Sequence, residues 1–478
     1  MRRNPPKPPA APPHPRKLPI IGNLHQLAGS SLPHRRFRDL TNQYGAVMGL
    51  QLGQIPFVVI SSAESAEQIL KTHDVVFANR PFSLAAQILT YDFTDIIFSP
   101  YGAYWRQLRK ICALELLNPN RVQSFGSIRS EEISNSMGGV SVSAGQEFNF
   151  SQMVFSLTAG IVSRVAFGKK YRGHDEFVPV MEEMARISGG FSLADLFPSV
   201  KLLQVTSGMR SQLLRLRNEA DRMMDGIISD HRERQRTEGS DEVDDLVDVL
   251  LKLQAGGGLE VPLSDDNIKA VILVNGNCIL LCFSFLNISH TTEEMIKNPR
   301  ILQQAQIEVR RVFKLKGDVD VTQLHELYYL QSVIKETLRL HPPGPLLIPR
   351  ECGEDCEING FQVKAKEKVI VNIWAISRDP KYWNDPEEFR PEKFINNPID
   401  FKGSNFEFLT FGSGRRICPG VAFSMANIEL SLAKFLYHFD WELPSDVKIE
   451  NLDMTELYGF AVRKKHNLKV IPIPYTKH

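Results

Sequence analysis

Cys418 has the most chemistry in its surroundings, because it sits near the end of the run Phe411-Gly-Ser-Gly-Arg-Arg-Ile-Cys-Pro-Gly420. The two glycines at 412 and 414 let the backbone turn tightly and come close to a flat ligand. Pro419 suits a first helical turn, so the sequence predicts Cys418 at a helix N-terminus, where the helix dipole stabilises a thiolate. A thiolate is a ligand for iron, and it favours O–O cleavage by pushing electron density through the metal. A lone cysteine on a glycine-rich turn would read as a buried structural thiol. Here phenylalanine, glycines, arginine and cysteine together match one spacing, and that spacing selects the ligand reading.

Other residues are weaker on their own. Glu336 and Arg339 stand at i,i+3 on one helical face, a common arrangement for a surface ion pair. Trp105 and Arg109 stand at i,i+4, which by itself suggests a packed indole beside a solvated cation. His341 lies beside two prolines just past a helix and reads as a loop residue, not an iron ligand. Cys352 and Cys356 lack a second pair of metal-binding residues at zinc-site spacing and read as loop thiols.

The elements that must position these residues are mainly helical. Helices are predicted near 35–44, 63–72, 104–114, 120–137, 152–166, 176–188, 208–236, 243–254, 299–314 and 328–340, with Ser264 capping another from Asp265 and one more beginning near Cys418. Strands are predicted at 46–52, 56–60 and near 357–371, and a hairpin edge at 458–475. The fold class is therefore mainly α with a small β-sheet region. With 478 residues, 43% hydrophobic, a large core is available, and no composition break divides it. Fifty-six basic against 55 acidic residues give no electrostatic case for nucleic acid. Six cysteines in so long a chain imply no disulfide framework. Residues 1–19 carry eight prolines, which excludes a membrane helix there, and the run Cys278–Ile288 is too short to span a bilayer.

The cysteine loop resembles the haem-binding loop of the cytochrome P450 family, and the similarity runs from Leu18-Pro-Ile-Ile-Gly22 to the tail. Tyr101-Gly-Ala-Tyr-Trp-Arg-Gln-Leu-Arg-Lys110 looks like the plant microsomal members, and the terpenoid-oxidising ones are the expected kin. The resemblance implies a triangular helical domain enclosing haem b, spanning 31–478, behind a proline-rich leading segment at 1–30. It implies Cys418 as iron ligand, and Trp105, Arg109, Arg350, Phe411, Gly414, Arg416, Cys418 and Gly420 as the haem-binding set, with the tryptophan and arginines facing the propionates. It implies an ion-pair network of Glu336, Arg339 and a third arm from Phe389-Arg-Pro-Glu-Lys-Phe394. That arm is usually arginine; Lys393 holds the position, with Arg390 as the available substitute. The expected partners are NADPH–cytochrome P450 reductase, which supplies electrons drawn from NADPH, a hydrophobic small molecule and a membrane surface. The expected location is the cytosolic face of the endoplasmic reticulum membrane, with an N-terminal anchor that this chain does not show. Substrate contacts are expected from 85–98, the central helix, Leu346–Ile348 and Leu457–Phe460.

One stretch departs from the family. Between Val274 and His290 the family places a glycine, an acid and a threonine that relay protons; the acid–threonine pair would fall near Leu281, Cys282 and Phe283, and neither residue type occurs there. Ser284 is the nearest hydroxyl, and Asn275-Gly-Asn277 is a poor helix interior. Two readings stand: chemistry that needs no proton relay, or a misassigned stretch of coding sequence, which the matching flanks favour. Beside the monooxygenase stand two rival classes, a haem-thiolate isomerase or dehydratase and a haem-binding variant without catalysis.

Overall fold

The computed structural model describes residues 9–29, 32–168, 174–189, 191–206, 208–237, 244–274 and 283–476. Among them twelve helices run nine residues or more: α1 (Pro33–Tyr44), α2 (Ala103–Ile111), α3 (Gly126–Val142), α4 (Phe150–Phe167), α5 (His174–Ser188), α6 (Met209–Thr237), α7 (Leu246–Ala255), α8 (Asp265–Val274), α9 (Phe283–Lys297), α10 (Pro299–Val312), α11 (Tyr328–Leu340) and α12 (Val421–His438). The helices that position the site are the buried ones. α12 hides Phe423, Ile428, Leu432 and Phe435, and α11 hides Leu330, Val333, Ile334 and Leu338 together with the paired Glu336 and Arg339, so both belong in the core. α9 packs against α4, α11 and α12. α4 has a mean hydropathy of 1.3 and the length to cross a membrane, but 72% of it is buried, and it is a core helix.

The strands are β1 (Val47–Leu52), β2 (Ile55–Ile60), β3 (Phe148–Asn149), β4 (Arg350–Glu351), β5 (Cys356–Ile358), β6 (Phe361–Val363), β7 (Lys368–Val371), β8 (Phe439–Glu442), β9 (Glu456–Leu457), β10 (Arg463–Lys464) and β11 (Lys469–Pro474). The main sheet has the order β1-β2-β7-β4, with β2 and β7 parallel. Its Phe57, Val58, Val59 and Ile60 are all buried, which the continuous apolar run of β2 requires. The proline-rich segment lies along this sheet as an acceptor: Gly49 N–H donates to Pro13 O (2.8 Å) and Asn23 Nδ2 to Arg16 O (3.1 Å). Prolines lack N–H groups but keep their carbonyls, so a fixed extended segment can dock this way.

Several boundaries differ from the sequence reading. α2 ends at Ile111 and widens into a π-turn over Cys112–Leu116; the helix expected at 120–137 is two, Pro119–Ser124 and α3. The short helix Leu84–Leu89, capped by Ser83, was hidden in an aperiodic apolar run. The tail is not one hairpin. β9 and β10 pair with each other, while β11 pairs with β8 and β3, so that Val470 and Pro472 face inward. The helix after Cys418 begins at Val421 with Gly420 as its cap, which moves the cysteine outside the first turn.

Candidate active site: a cysteine loop facing an arginine cluster

The loop before α12 is bent by Gly412 (φ +73°) and Gly414 (φ +69°), conformations that a side chain resists. At Gly414 a Cβ would stand 2.1 Å from Leu70 O, so only glycine fits. Thr410 Oγ1 donates to Leu338 O (2.9 Å), tying the loop to α11, and Cys418 N–H donates to Phe411 O (3.0 Å), closing it. Cys418 is partly accessible through the cavity that it lines together with Gly412, Ile417 and Phe411. Burial pushes its thiol up to about 11, against the Gly420 N–H and the Arg109 charge, which pull it down. A bound metal ion would favour the thiolate further. Gly414 and Gly420, expected to hold the cofactor, do not line this cavity: the first lets the loop pack on Leu70 and the second caps α12.

Arg80, Arg109, Arg350 and Arg416 converge on the same cavity. Arg416 is held by Ala78 O (2.9 Å) and Ser99 O (2.6 Å), and its Cζ lies 4.3 Å from the centre of the Trp105 ring. Trp105 lines the same cavity, donates its N–H to Ile96 O (2.9 Å) and carries Arg416 on its ring face. Arg109 donates to Ile417 O (2.6 Å), next to the cysteine. Arg350 pairs with Asp74 (3.0 Å), which Arg415 shares (3.1 Å). Arg80, which sequence reasoning missed, donates to Ile97 O, Ile348 O and Pro349 O. Burial and then its neighbour Arg350 push Arg416 down to about 9; burial, Arg416 and Arg350 push Arg80 well below the usual arginine range. Against these cations stand Asp74 and Asp95, and burial lifts Asp95 to about 6. Such an excess of buried positive charge is stable only against an anionic ligand. The cluster therefore fits a group that carries carboxylates beside an atom for a thiolate to bind. Arg109→Ala is expected to weaken retention of such a group by about 2–5 kcal/mol, read as cofactor loss on dilution.

Behind the loop, Glu336 and Arg339 are fully buried and bidentate, at 2.6 and 2.8 Å. Arg339 also donates to Ser377 O, Pro386 O and Glu388 O, which employs its whole fork. Lys393 Nζ reaches Glu336 Oε1 (3.1 Å) and the carbonyls of Asp385 and Glu388, acting as the third arm. The Arg390 side chain does not substitute for it: it turns to Asp385 at the surface, and only its backbone N–H reaches Glu336 (2.9 Å). Glu336→Gln is expected to destabilise the protein by about 3–5 kcal/mol, because it strands the buried guanidinium; a denaturant titration measures this.

Of the expected substrate-contact segments, Ile96, Ile97, Leu347, Ile348 and Phe460 line the cavity beside Cys418. A larger cavity of about 680 Å³ opens past Phe460, between α4, α5, α9 and the tail. Ala85 and Leu89 are buried in the Leu84–Leu89 helix and line neither. Leu281 and Cys282 lie outside the described residues, and Phe283 opens α9. Ser284 Oγ is buried and without a hydrogen-bond partner. His341 caps the end of α11 and bonds Glu294 (2.8 Å), far from an iron-ligand role at the loop. Cys352 and Cys356 are free thiols.

The family model described as Cytochrome P450 matches residues 12–470. Cytochrome P450 71D445 of Euphorbia lathyris is 50% identical over 98% of this chain and 92% of its own length. Tabersonine 6,7-epoxidase isoform 1 of Catharanthus roseus is 48% identical over 96% and 91%, and premnaspirodiene oxygenase of Hyoscyamus muticus is 44% identical over 97% and 93%. In fold, a zebra fish cytochrome P450 solved with progesterone superposes with a TM-score of 0.80 at 22% identity, covering 93% of this chain and all of that one.

Proposed function

The chain belongs to the cytochrome P450 family of haem-thiolate monooxygenases, and on that premise we propose that it inserts one oxygen atom of O2 into a hydrophobic plant metabolite, a terpenoid, with electrons from NADPH delivered by NADPH–cytochrome P450 reductase. The observation that carries the reading is the meeting of Cys418 with four arginines in one cavity. Cys418 would ligate haem iron, and Arg80, Arg109, Arg350 and Arg416 would hold its propionates. Bound there, haem supplies the oxygen activation, and the thiolate favours O–O cleavage. The protein's own part is to keep water out and hold the substrate: Ile96, Ile97, Leu347, Ile348 and Phe460 form an apolar wall that recognises carbon surface instead of charge. Relatives named for the oxidation of tabersonine and premnaspirodiene support a bulky, largely apolar substrate.

Membrane association has a physical basis in the exposed Leu18, Ile20, Ile21, Leu193, Val200 and Leu202. Two distant segments carry them, and each bonds the same turn between β1 and β2: Gly53 N–H donates to Ile21 O (3.2 Å) and Gln54 N–H to Leu196 O (2.8 Å). An apolar patch of this kind suits reversible contact with lipid, here the cytosolic face of the endoplasmic reticulum.

The test is product analysis on a terpenoid panel with and without NADPH and reductase. Oxygenated product that requires both supports the reading. Rearranged product without NADPH would instead make the protein an isomerase or dehydratase, and no product at all with haem bound would make it a non-catalytic haem binder.

A further inference from the structure

Three side chains outside the oxygen chemistry converge under the tail: His290 on α9, His341 at the end of α11, and Glu456 in β9. One ligand atom from each lies within 4.8 Å of the other two. Hydrogen bonds identify the atoms. His290 Nδ1 lies 2.8 Å from Leu286 O, which can only accept, so Nδ1 carries the proton and Nε2 the lone pair. The residue is 2% exposed, and that Nε2 has no partner. His341 donates from Nε2 to Glu294 Oε1 (2.8 Å), and its Nδ1 faces Glu456 Oε1 at 3.6 Å, too far for a hydrogen bond. The two imidazole rings are stacked, with centroids 5.1 Å apart and planes 4° from parallel, so one ring must turn before a single ion can lie in the plane of both.

We propose that His290 Nε2, His341 Nδ1 and a Glu456 carboxylate oxygen form a divalent-cation site of the two-histidine, one-carboxylate type, suited to zinc and with its fourth position left for water. The outer contacts are those a metal-bound imidazole requires: a carbonyl behind His290 and the Glu294 carboxylate behind His341. Three carboxylates, Glu293, Glu294 and Glu456, surround the site; the cations nearest them are Arg35, which bonds Glu456 Oε2 (3.0 Å), Lys464, which pairs with Glu293 (3.2 Å), and Lys297 and Arg378 in the adjoining crevice. That crevice, lined by Glu294, Lys297, His341, Arg378, Glu387 and Glu388, joins the site to solvent. Ligand atoms around tetrahedral zinc stand about 3.3 Å apart, so binding must draw the three together, and β9, two residues long, is the arm that closes. Occupancy would then pin Leu457–Phe460, which line the larger cavity and of which Phe460 also lines the one beside Cys418, against α9 and α11.

The haem-loaded protein, treated with a chelator and dialysed against zinc, tests this. One zinc per chain beyond the haem iron is expected, with a melting temperature that climbs with zinc concentration. His290→Gln and Glu456→Gln are each expected to lose binding by about 100-fold or more, and Glu294→Gln by about 10–100-fold. Variants are compared only when they keep the reduced carbon monoxide band of the parent; Glu456→Gln conserves shape in a short strand and gives the reading if His290→Gln does not fold. A wild-type chain that retains no zinc, or variants that bind it equally, would overturn the proposal.

Discussion

Cys418→Ser is expected to abolish the red-shifted band of the reduced carbon monoxide complex and all reductase-dependent turnover. A serine hydroxyl cannot furnish a thiolate, yet the loop should hold its shape, because Thr410, Gly412, Gly414 and the Cys418 backbone N–H fix it without the sulfur. An unchanged band in the variant would remove Cys418 as the iron ligand. Burial dominates this thiol in the haem-free fold, and a pH dependence follows. The haem-free fold holds a proton up to about 11 that an unfolded cysteine releases near its ordinary 9.0. Between those values the unfolded chain binds fewer protons, so the stability of the haem-free form declines as pH rises through that window. Haem ligation releases the same proton, so affinity is expected to rise by about tenfold per pH unit below it. Haem titration at a series of pH values measures the slope.

What was legible in the sequence was local. The cysteine loop could be read because its chemistry lies within ten residues, and the Glu336–Arg339 pair because a helix turn sets it. Arg80 could not, since its partners Ile348 and Pro349 come from far along the chain; the available signal was only a cation in the apolar run Val76-Phe77-Ala78-Asn79-Arg80. Lys393 and Arg390 are three residues apart and equally eligible by type, but the 3₁₀ turn at Pro391–Phe394 points the first inward and leaves the second at the surface. Trp105 sits on the helix its spacing implied, and its N–H bond to Ile96 O, nine residues upstream, could not be read from that spacing. The tail failed as a hairpin for a similar reason: β11 finds its neighbours in β8 and β3, the latter separated from it by most of the chain.

The central helix supports the other large effect. Replacing 274–289 by a segment with glycine, an acid and threonine at the family spacing is expected to raise product formation by about 10²–10⁴-fold and to increase product per NADPH consumed. The oxygen chemistry that bound haem would supply consumes protons, and a hydroxyl and a carboxyl on this helix would deliver them; the stretch from Val274 to His290 contains neither an acid nor a threonine. The swap leaves His290 in place but replaces Leu286, whose carbonyl holds His290 Nδ1, so zinc content is measured on the swapped chain as well. A second readout comes from packing. Ser284 and Ser289 are buried on α9 with hydroxyls that have no hydrogen-bond partner, and each such group costs about 1–3 kcal/mol. Small apolar residues at these two positions are therefore expected to raise the denaturation midpoint, whatever the activity does. If the unmodified chain already couples NADPH tightly to product, proton delivery must run through Ser284 or ordered water. Ser284→Ala would then collapse the coupling, whereas in a chain that lacks a relay it only stabilises the helix.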